Sequence, residues 1–213
     1  MRKVWLDRKM AKGKRRNTGT KELIRCDWPG KDEDMIKYHD SEWGTPLHND
    51  TLHFEYIVLD TFQAGLSWLL MIRKRENFRR AFDGFDPKKI ARFDEKRVAK
   101  LMGDAGIVRN NLKIRGTVAN AKAFLAVQKE FSSFDKYIWQ FVNGKTIVNK
   151  WGKVRDLPAV SAEAVVMSKD MKKRGFKFVG PTVCYAYMQG AGLVNDHLVT
   201  CFRYREVQKL GRS

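Results

Sequence analysis

Residues 172–192 read KKRGFKFVGPTVCYAYMQGAG, and how this stretch breaks decides the kind of fold the chain adopts. It closes a helical segment, SAEAVVMSKDMKKRG (161–175), that opens on Ser161 with Glu163 close behind and stops at Gly175, a residue suited to a helix C-terminus. FKFVG then turns the chain, and Gly180-Pro181 starts a new helix; proline fits a first helical turn because no N–H partner is lost there. The freed N–H groups of Gly180, Thr182 and Val183 can point at a phosphate with the helix dipole behind them, and Lys173, Arg174 and Lys177 add positive charge. These residues fit a plain αα turn with solvated lysines. They also fit a helix–hairpin–helix grip on a nucleic-acid backbone, in which phosphate contacts position the protein without reading sequence.

Helical signals continue upstream. NDTLHFEYIVLDTFQAGLSWLLMIRKRENFRRAF (49–82) begins on the capping candidates Asn49, Asp50 and Thr51, carries apolar residues at helical spacing and breaks near Gly65 and Ser67. DPKKIARF and DEKRVAKLM each start on a capping Asp, predicting two short helices. VRNNLKIRGTVANAKAFLAVQKEF (108–131) predicts a longer amphipathic helix weakened at Gly116, and SFDKYIWQFVNG (133–144) a short one ending at Gly144. KTIVNKW (145–151) is the sole strand candidate. The expected class is all-α, with one compact body at 23–207 built of two connected helical lobes and a tail at 208–213.

Composition narrows the classes of function. The 213 residues are 43% hydrophobic and 12% aromatic, which is globular, and 42 Lys+Arg against 24 Asp+Glu leave a net charge of +18. Such an excess favours a polyanionic partner, because each cation brought to a phosphate releases condensed counterions. The longest apolar region, AGLSWLLMI, stops at RKR and is too short to span a bilayer, so no membrane association is expected. Three cysteines, Cys26, Cys184 and Cys201, argue against a disulfide framework and for a reducing cytosol. Residues 1–22 are basic and lack a sustained period, and are expected to form a disordered arm; ordered structure should begin near Ile24.

Near the other end, LVNDHLVTCFRY (193–204) places His197 and Cys201 four apart in a helix-compatible stretch, where they would share a face. Early in the chain, RCDWPGKDEDMIKYHD (25–40) offers Cys26 and His39. Together they supply a Cys2His2 set of the chemistry zinc prefers, which would staple the two ends of the chain. Each half alone is equally a packed core pair. His48 and His53, beside loop and cap residues, are expected at the surface. YHDSEWG and FQAGLSW set Tyr38, Trp43 and Trp68 beside turn and capping residues, where aromatics could stack an extruded base or simply fill the core. Asp60 lies in an apolar run; it is either costly and functional or on the polar face of its helix.

RCDW, YHDSEWG, FQAGLSW, KRENFRRAF, KKRGFKFVG and GLVNDHLVTC, in this order from about Cys26 to Arg203, resemble the 3-methyladenine DNA glycosylase I family of bacterial alkylation-repair enzymes. The resemblance implies a helix–hairpin–helix glycosylase that works as a monomer in the bacterial cytosol. It would flip a damaged nucleotide from alkylated double-stranded DNA and hydrolyse the N-glycosidic bond of 3-methyladenine, leaving an abasic site. It implies one structural zinc ion (Zn2+) on Cys26, His39, His197 and Cys201, and a base pocket of Tyr38, Trp43, Trp68 and Asp60, with Asp60 as the catalytic carboxylate. It implies DNA contacts at Gly175, Lys177, Gly180 and Thr182. Lyase-type relatives carry a lysine where this chain has Thr182, so the expected enzyme is monofunctional. Two departures stand out: members usually have glutamate where this chain has Asp60, and the enterobacterial type has tyrosine where this chain has Met35. Asp196, beside a zinc ligand, is expected to support the metal site.

Overall fold

Helix α2 (Asp50–Gln63) is the axis of the molecule, and ten consecutive residues on it, His53 to Phe62, are buried. A helix apolar nearly all round must be covered on every side. It is covered by α3 (Trp68–Ala81), α6 (Asn111–Phe131), α7 (Phe134–Trp139) and α9 (Pro181–Gly190). The computed structural model describes residues 23–211; the basic segment 1–22 lies outside the described residues.

Capping chemistry sets most boundaries. Asn49 accepts a hydrogen bond from the Leu52 amide to start α2, and the chain breaks at 64–67, where Gly65 adopts φ +83°. Ser67 then caps α3. Asp32 caps α1 (Glu33–Ser41), Asp86 caps α4 (Pro87–Ile90), Asp94 caps α5 (Glu95–Gly103), Asn110 caps α6 and Ser161 caps α8 (Ala162–Lys173). Asp50, a further capping candidate, serves a different helix, since its carboxylate receives the Phe134 and Asp135 amides at the start of α7, both at 2.9 Å.

The strand candidate does form a strand, β1 (Ile147–Val148), paired in parallel with β2 (Val194–Asn195) in the register Ile147 to Val194. This pairing overturns one expectation. His197 and Cys201 do not share a helical face, because β2 extends the chain and α10 (Phe202–Leu210) begins only after Cys201. A turn closed by the Cys201 amide on the Leu198 carbonyl, at 2.8 Å, brings them together instead. Helix α10 also continues to Leu210, into the segment expected to be a tail.

Helices α8 and α9 pack together around the hairpin at 174–180. Gly175 sits at φ +95°, a conformation side chains resist. Asn120 on α6 clamps the hairpin through its side-chain amide, receiving the Lys177 backbone N–H at 2.6 Å and donating to the Lys177 carbonyl at 3.2 Å. Gly116 weakens α6 for a reason: a Cβ there would stand 2.7 Å from the Phe178 ring, so glycine lets the hairpin seat on α6.

Candidate functional site

A buried helix must find partners for its ionisable side chains, and α2 buries three carboxyl or imidazole groups. Glu55 is ion-paired with Arg75 and with Arg79, the latter at 2.8 Å. His53 receives the Tyr187 hydroxyl at Nδ1 (2.7 Å) and faces Asp135 through Nε2 (3.2 Å). It is fully buried and not at the surface as expected: it lies four and seven residues before Ile57 and Asp60, on a covered face. His48 is exposed, as expected. Asp60 is 4% exposed, and its Oδ2 meets no hydrogen-bond partner. Among the described residues it is the one buried acidic or basic side chain with no hydrogen bond or ion pair. Burial pushes its carboxyl well above the usual carboxylate range.

Asp60 opens onto a cavity of about 280 Å³, the lower end of small-molecule sites. The sequence candidates Tyr38, Trp43, Trp68 and Met35 all line it. The Tyr38 and Trp68 rings pack as a tilted pair, 5.4 Å apart at 55°. The indole N–H groups of Trp28 and Trp68 are buried without partners. Sequence reasoning missed Trp28, Gln63, Val154, Leu157, Ala186 and Gln189, which complete the wall. Ala186 and Gln189 are three apart on α9, a helical spacing visible in the sequence; Val154 and Leu157 open and follow a single 3-10 turn (Val154–Asp156) after β1, too short to show a period.

Behind the tryptophans lies a second cluster. The ligand atoms of Cys26, His39, His197 and Cys201, all buried, lie within 4.8 Å of one another and could hold a metal ion. Sulfur–nitrogen separations are 3.7 Å from Cys26 to His197, 3.5 Å from Cys201 to His39 and 3.6 Å from Cys201 to His197. Each ring is fixed by its other nitrogen, His39 Nδ1 on Asp40 at 2.7 Å and His197 Nε2 on the Trp43 carbonyl at 2.9 Å. The hydrogen bond from Cys26, reinforced by both histidines, lowers the pKa of the Cys201 thiol. The cluster and the cavity share a partition: Trp28 lies 5.4 Å from His39 and Trp43 lies 4.7 Å from His197, ring centre to ring centre.

Two further expectations change. Asp196 does not support His197; its carboxylate receives Asn149, Trp151, Tyr185 and Gln189. Arg174 is not free charge at the hairpin, since Asp170 (2.6 Å) and Glu130 (2.7 Å) hold it over the Phe131 and Tyr137 rings. Lys172, Lys173, Lys177 and Thr182 are exposed, and Gly180 starts α9 with no side-chain cap.

The family model for methyladenine glycosylase matches residues 28–204. The chain belongs to this family. It is 44% identical over 182 residues to DNA-3-methyladenine glycosylase 1 of Escherichia coli, covering 85% of this chain and 97% of that one. The Haemophilus influenzae DNA-3-methyladenine glycosylase is 46% identical over 177 residues, covering 83% and 96%. A crystal structure of a 3-methyladenine DNA glycosylase I superposes with a TM-score of 0.82 at 43% identity, covering 84% of this chain and 98% of that one. A Staphylococcus aureus 3-methyladenine DNA glycosylase I, whose structure is described as the basis of 3-methyladenine recognition, gives 0.82 at 34%, covering 84% and 96%. The all-α fold and the glycosylase class, a hydrolase activity in DNA repair, therefore stand as expected. No helix among the described residues is long and apolar enough to cross a membrane.

Proposed function

We propose that this glycosylase removes 3-methyladenine from alkylated double-stranded DNA by holding the extruded base in the cavity of Tyr38, Trp43, Trp68 and Asp60. The observation that carries this reading is the unpartnered carboxylate of Asp60 at the wall of an aromatic cavity. Methylation at N3 makes adenine cationic and a good leaving group, so little acid catalysis is needed. A cation over an aromatic face gains about 0.5–2 kcal/mol, depending on how far it is desolvated. Burial disfavours the charged form of Asp60, a cost that a cationic base offsets and neutral adenine does not, which favours the damaged base. The shorter Asp60 arm sits in the wall between the cavity and the interior, and Met35 supplies an apolar edge.

The hairpin grips the backbone. Lys177 supplies charge, Gly175 makes the turn, and the uncapped start of α9 at Gly180 and Thr182 offers N–H groups to a phosphate. With Thr182 where a Schiff-base lysine would stand, the enzyme is monofunctional and leaves an abasic site. It acts as a monomer.

The metal is one structural zinc ion. A tetrahedral ion with bonds of about 2.3 Å to sulfur and about 2.0–2.1 Å to nitrogen sets sulfur–nitrogen edges at roughly 3.6 Å, matching the 3.5–3.7 Å separations here. Two Cys and two His, all buried, make a closed set with no ligand position for water. Its role is to fix Trp28 and Trp43 in the cavity wall.

Incubating the protein with methylated DNA should release free 3-methyladenine, and borohydride should trap no covalent complex. No release above a heat-treated control ends this reading.

A further inference from the structure

The carboxylate of Asp196, 2% exposed, accepts four side-chain hydrogen bonds that base excision by Asp60 and the aromatic cavity leaves unused. Oδ1 receives Asn149 Nδ2 and Trp151 Nε1, each at 2.7 Å, and Oδ2 receives the Tyr185 hydroxyl at 2.6 Å and Gln189 Nε2 at 2.8 Å. An indole N–H can only donate and an ionised carboxylate can only accept, so chemistry fixes each direction. Gln189 must therefore turn its NH2 toward Asp196 and its Oε1 away. Gln189 lines the cavity, and its Oε1 meets no intramolecular partner among the described residues. Gln63, also on the wall, is held the same way, its NH2 donating to the Leu66 carbonyl at 2.9 Å.

We propose that Gln189 reads the positive charge of the extruded base with its amide oxygen, and that Asp196 is the positioning residue that keeps this oxygen turned toward the cavity. An amide oxygen is the negative end of its dipole; turned the other way, the same side chain would present N–H groups to a cation and oppose it. The inference rests on the proposed function, since it needs a cationic base in this cavity.

Asp196→Asn tests it through a change of polarity. Trp151 can only donate, so the new amide keeps its oxygen on that side and turns its NH2 toward Tyr185 and Gln189. Tyr185 can rotate its hydroxyl to accept, but Gln189 has to flip, and its own NH2 then faces the cavity. Single-turnover release of 3-methyladenine is measured for wild type, Asp196→Asn, Gln189→Met, the double variant and Trp151→Phe, with DNA affinity and metal content followed in parallel. Asp196→Asn should lose about tenfold or more, the size of one interaction with a charged group. In the Gln189→Met background it should lose less than about twofold, because no dipole remains to reverse. Trp151→Phe, which removes one tie of the segment after β1 but leaves Gln189 oriented, should also stay within about twofold.

An equal Asp196→Asn loss in both backgrounds overturns the proposal, as does an unimpaired Gln189→Met. Should Asp196→Asn fail to fold, the comparison of Gln189→Met with Trp151→Phe still decides, since a loss confined to Trp151→Phe makes the network a mere tie. A wild type that releases no base sinks the proposed function itself, whereas release without coupling sinks only this inference.

Discussion

Asp60→Asn separates what the carboxylate costs the fold from what it does for the base. The side chain is buried, Oδ2 has no partner, and burial raises its pKa above the ordinary 3.8. The folded protein thus keeps a proton that the unfolded chain releases, and wild-type stability must fall as pH rises from 3.8 toward the folded value. Asparagine does not titrate and escapes this loss. Each pH unit between the two values costs wild type up to about 1.4 kcal/mol, whereas the amide of asparagine carries the same neutral burial cost at every pH. For a domain of this size each kcal/mol moves Tm by about 2–4 °C, so the variant should melt roughly 3–10 °C higher at pH 8. The advantage should narrow toward pH 5, the lower limit of the scan because thiolate ligands protonate and release metal in acid. Calorimetry at matched metal content measures this, with base release assayed on the same samples. Most substitutions destabilise, so a more stable, slower enzyme is a distinctive pair of results. A variant no more stable than wild type at pH 8, or a difference flat between pH 5 and 8, refutes the view of Asp60 as an unpaired buried carboxyl.

His197→Ala should lower zinc from one equivalent toward none and lower Tm, as metal analysis and calorimetry would read; full zinc content would remove it from the ligand set. Gly116→Ala should destabilise by about 1–3 kcal/mol, because its methyl group meets the Phe178 ring at 2.7 Å; Phe178→Ala should recover most of that loss, and failure to recover would locate the strain elsewhere. Lys177→Ala should weaken binding to any duplex alike and reduce the slope of log affinity against log salt by about one; an unchanged slope places Lys177 off the backbone.

Local chemistry was legible wherever one residue type has one use. Asn49, Asp86, Asp94 and Ser161 cap the helices they announced, and Gly65 with Ser67 marks the α2–α3 break. The group that could hold a metal was legible as chemistry but not as geometry: His197 and Cys201 are four apart, yet a turn and not a helix unites them, because β2 pairs with β1 from 47 residues upstream (Ile147 with Val194). His53 was misplaced for a related reason. Its cap Asn49 is exposed, but one turn later α2 is already enclosed by α7 and α9, and burial there is a tertiary property. The cavity wall was half legible, its aromatic side standing out by composition while Gln63 and Gln189 look like ordinary polar residues until their NH2 groups are seen to be engaged.

The two buried clusters are one device. Trp43 gives its carbonyl to His197 and its ring to the cavity, and Trp28 packs on His39 while lining the same space. An ion held by these four residues from both ends of the chain would therefore set the positions of two aromatic walls without touching a base. Aromatic recognition depends on ring placement to within a fraction of an ångström, and rings on flexible segments would dissipate it in entropy. Residues 26–28 belong to no helix, and a metal bond to Cys26 would add to the packing of Trp28 on Tyr38, His39 and Trp43 in holding that ring. Asp60, by contrast, is positioned by α2, which is buried from His53 to Phe62, and it lines the cavity. Aromatic walls held by a metal and an unpartnered carboxyl on the core helix would together make a site that favours a cation over a neutral base.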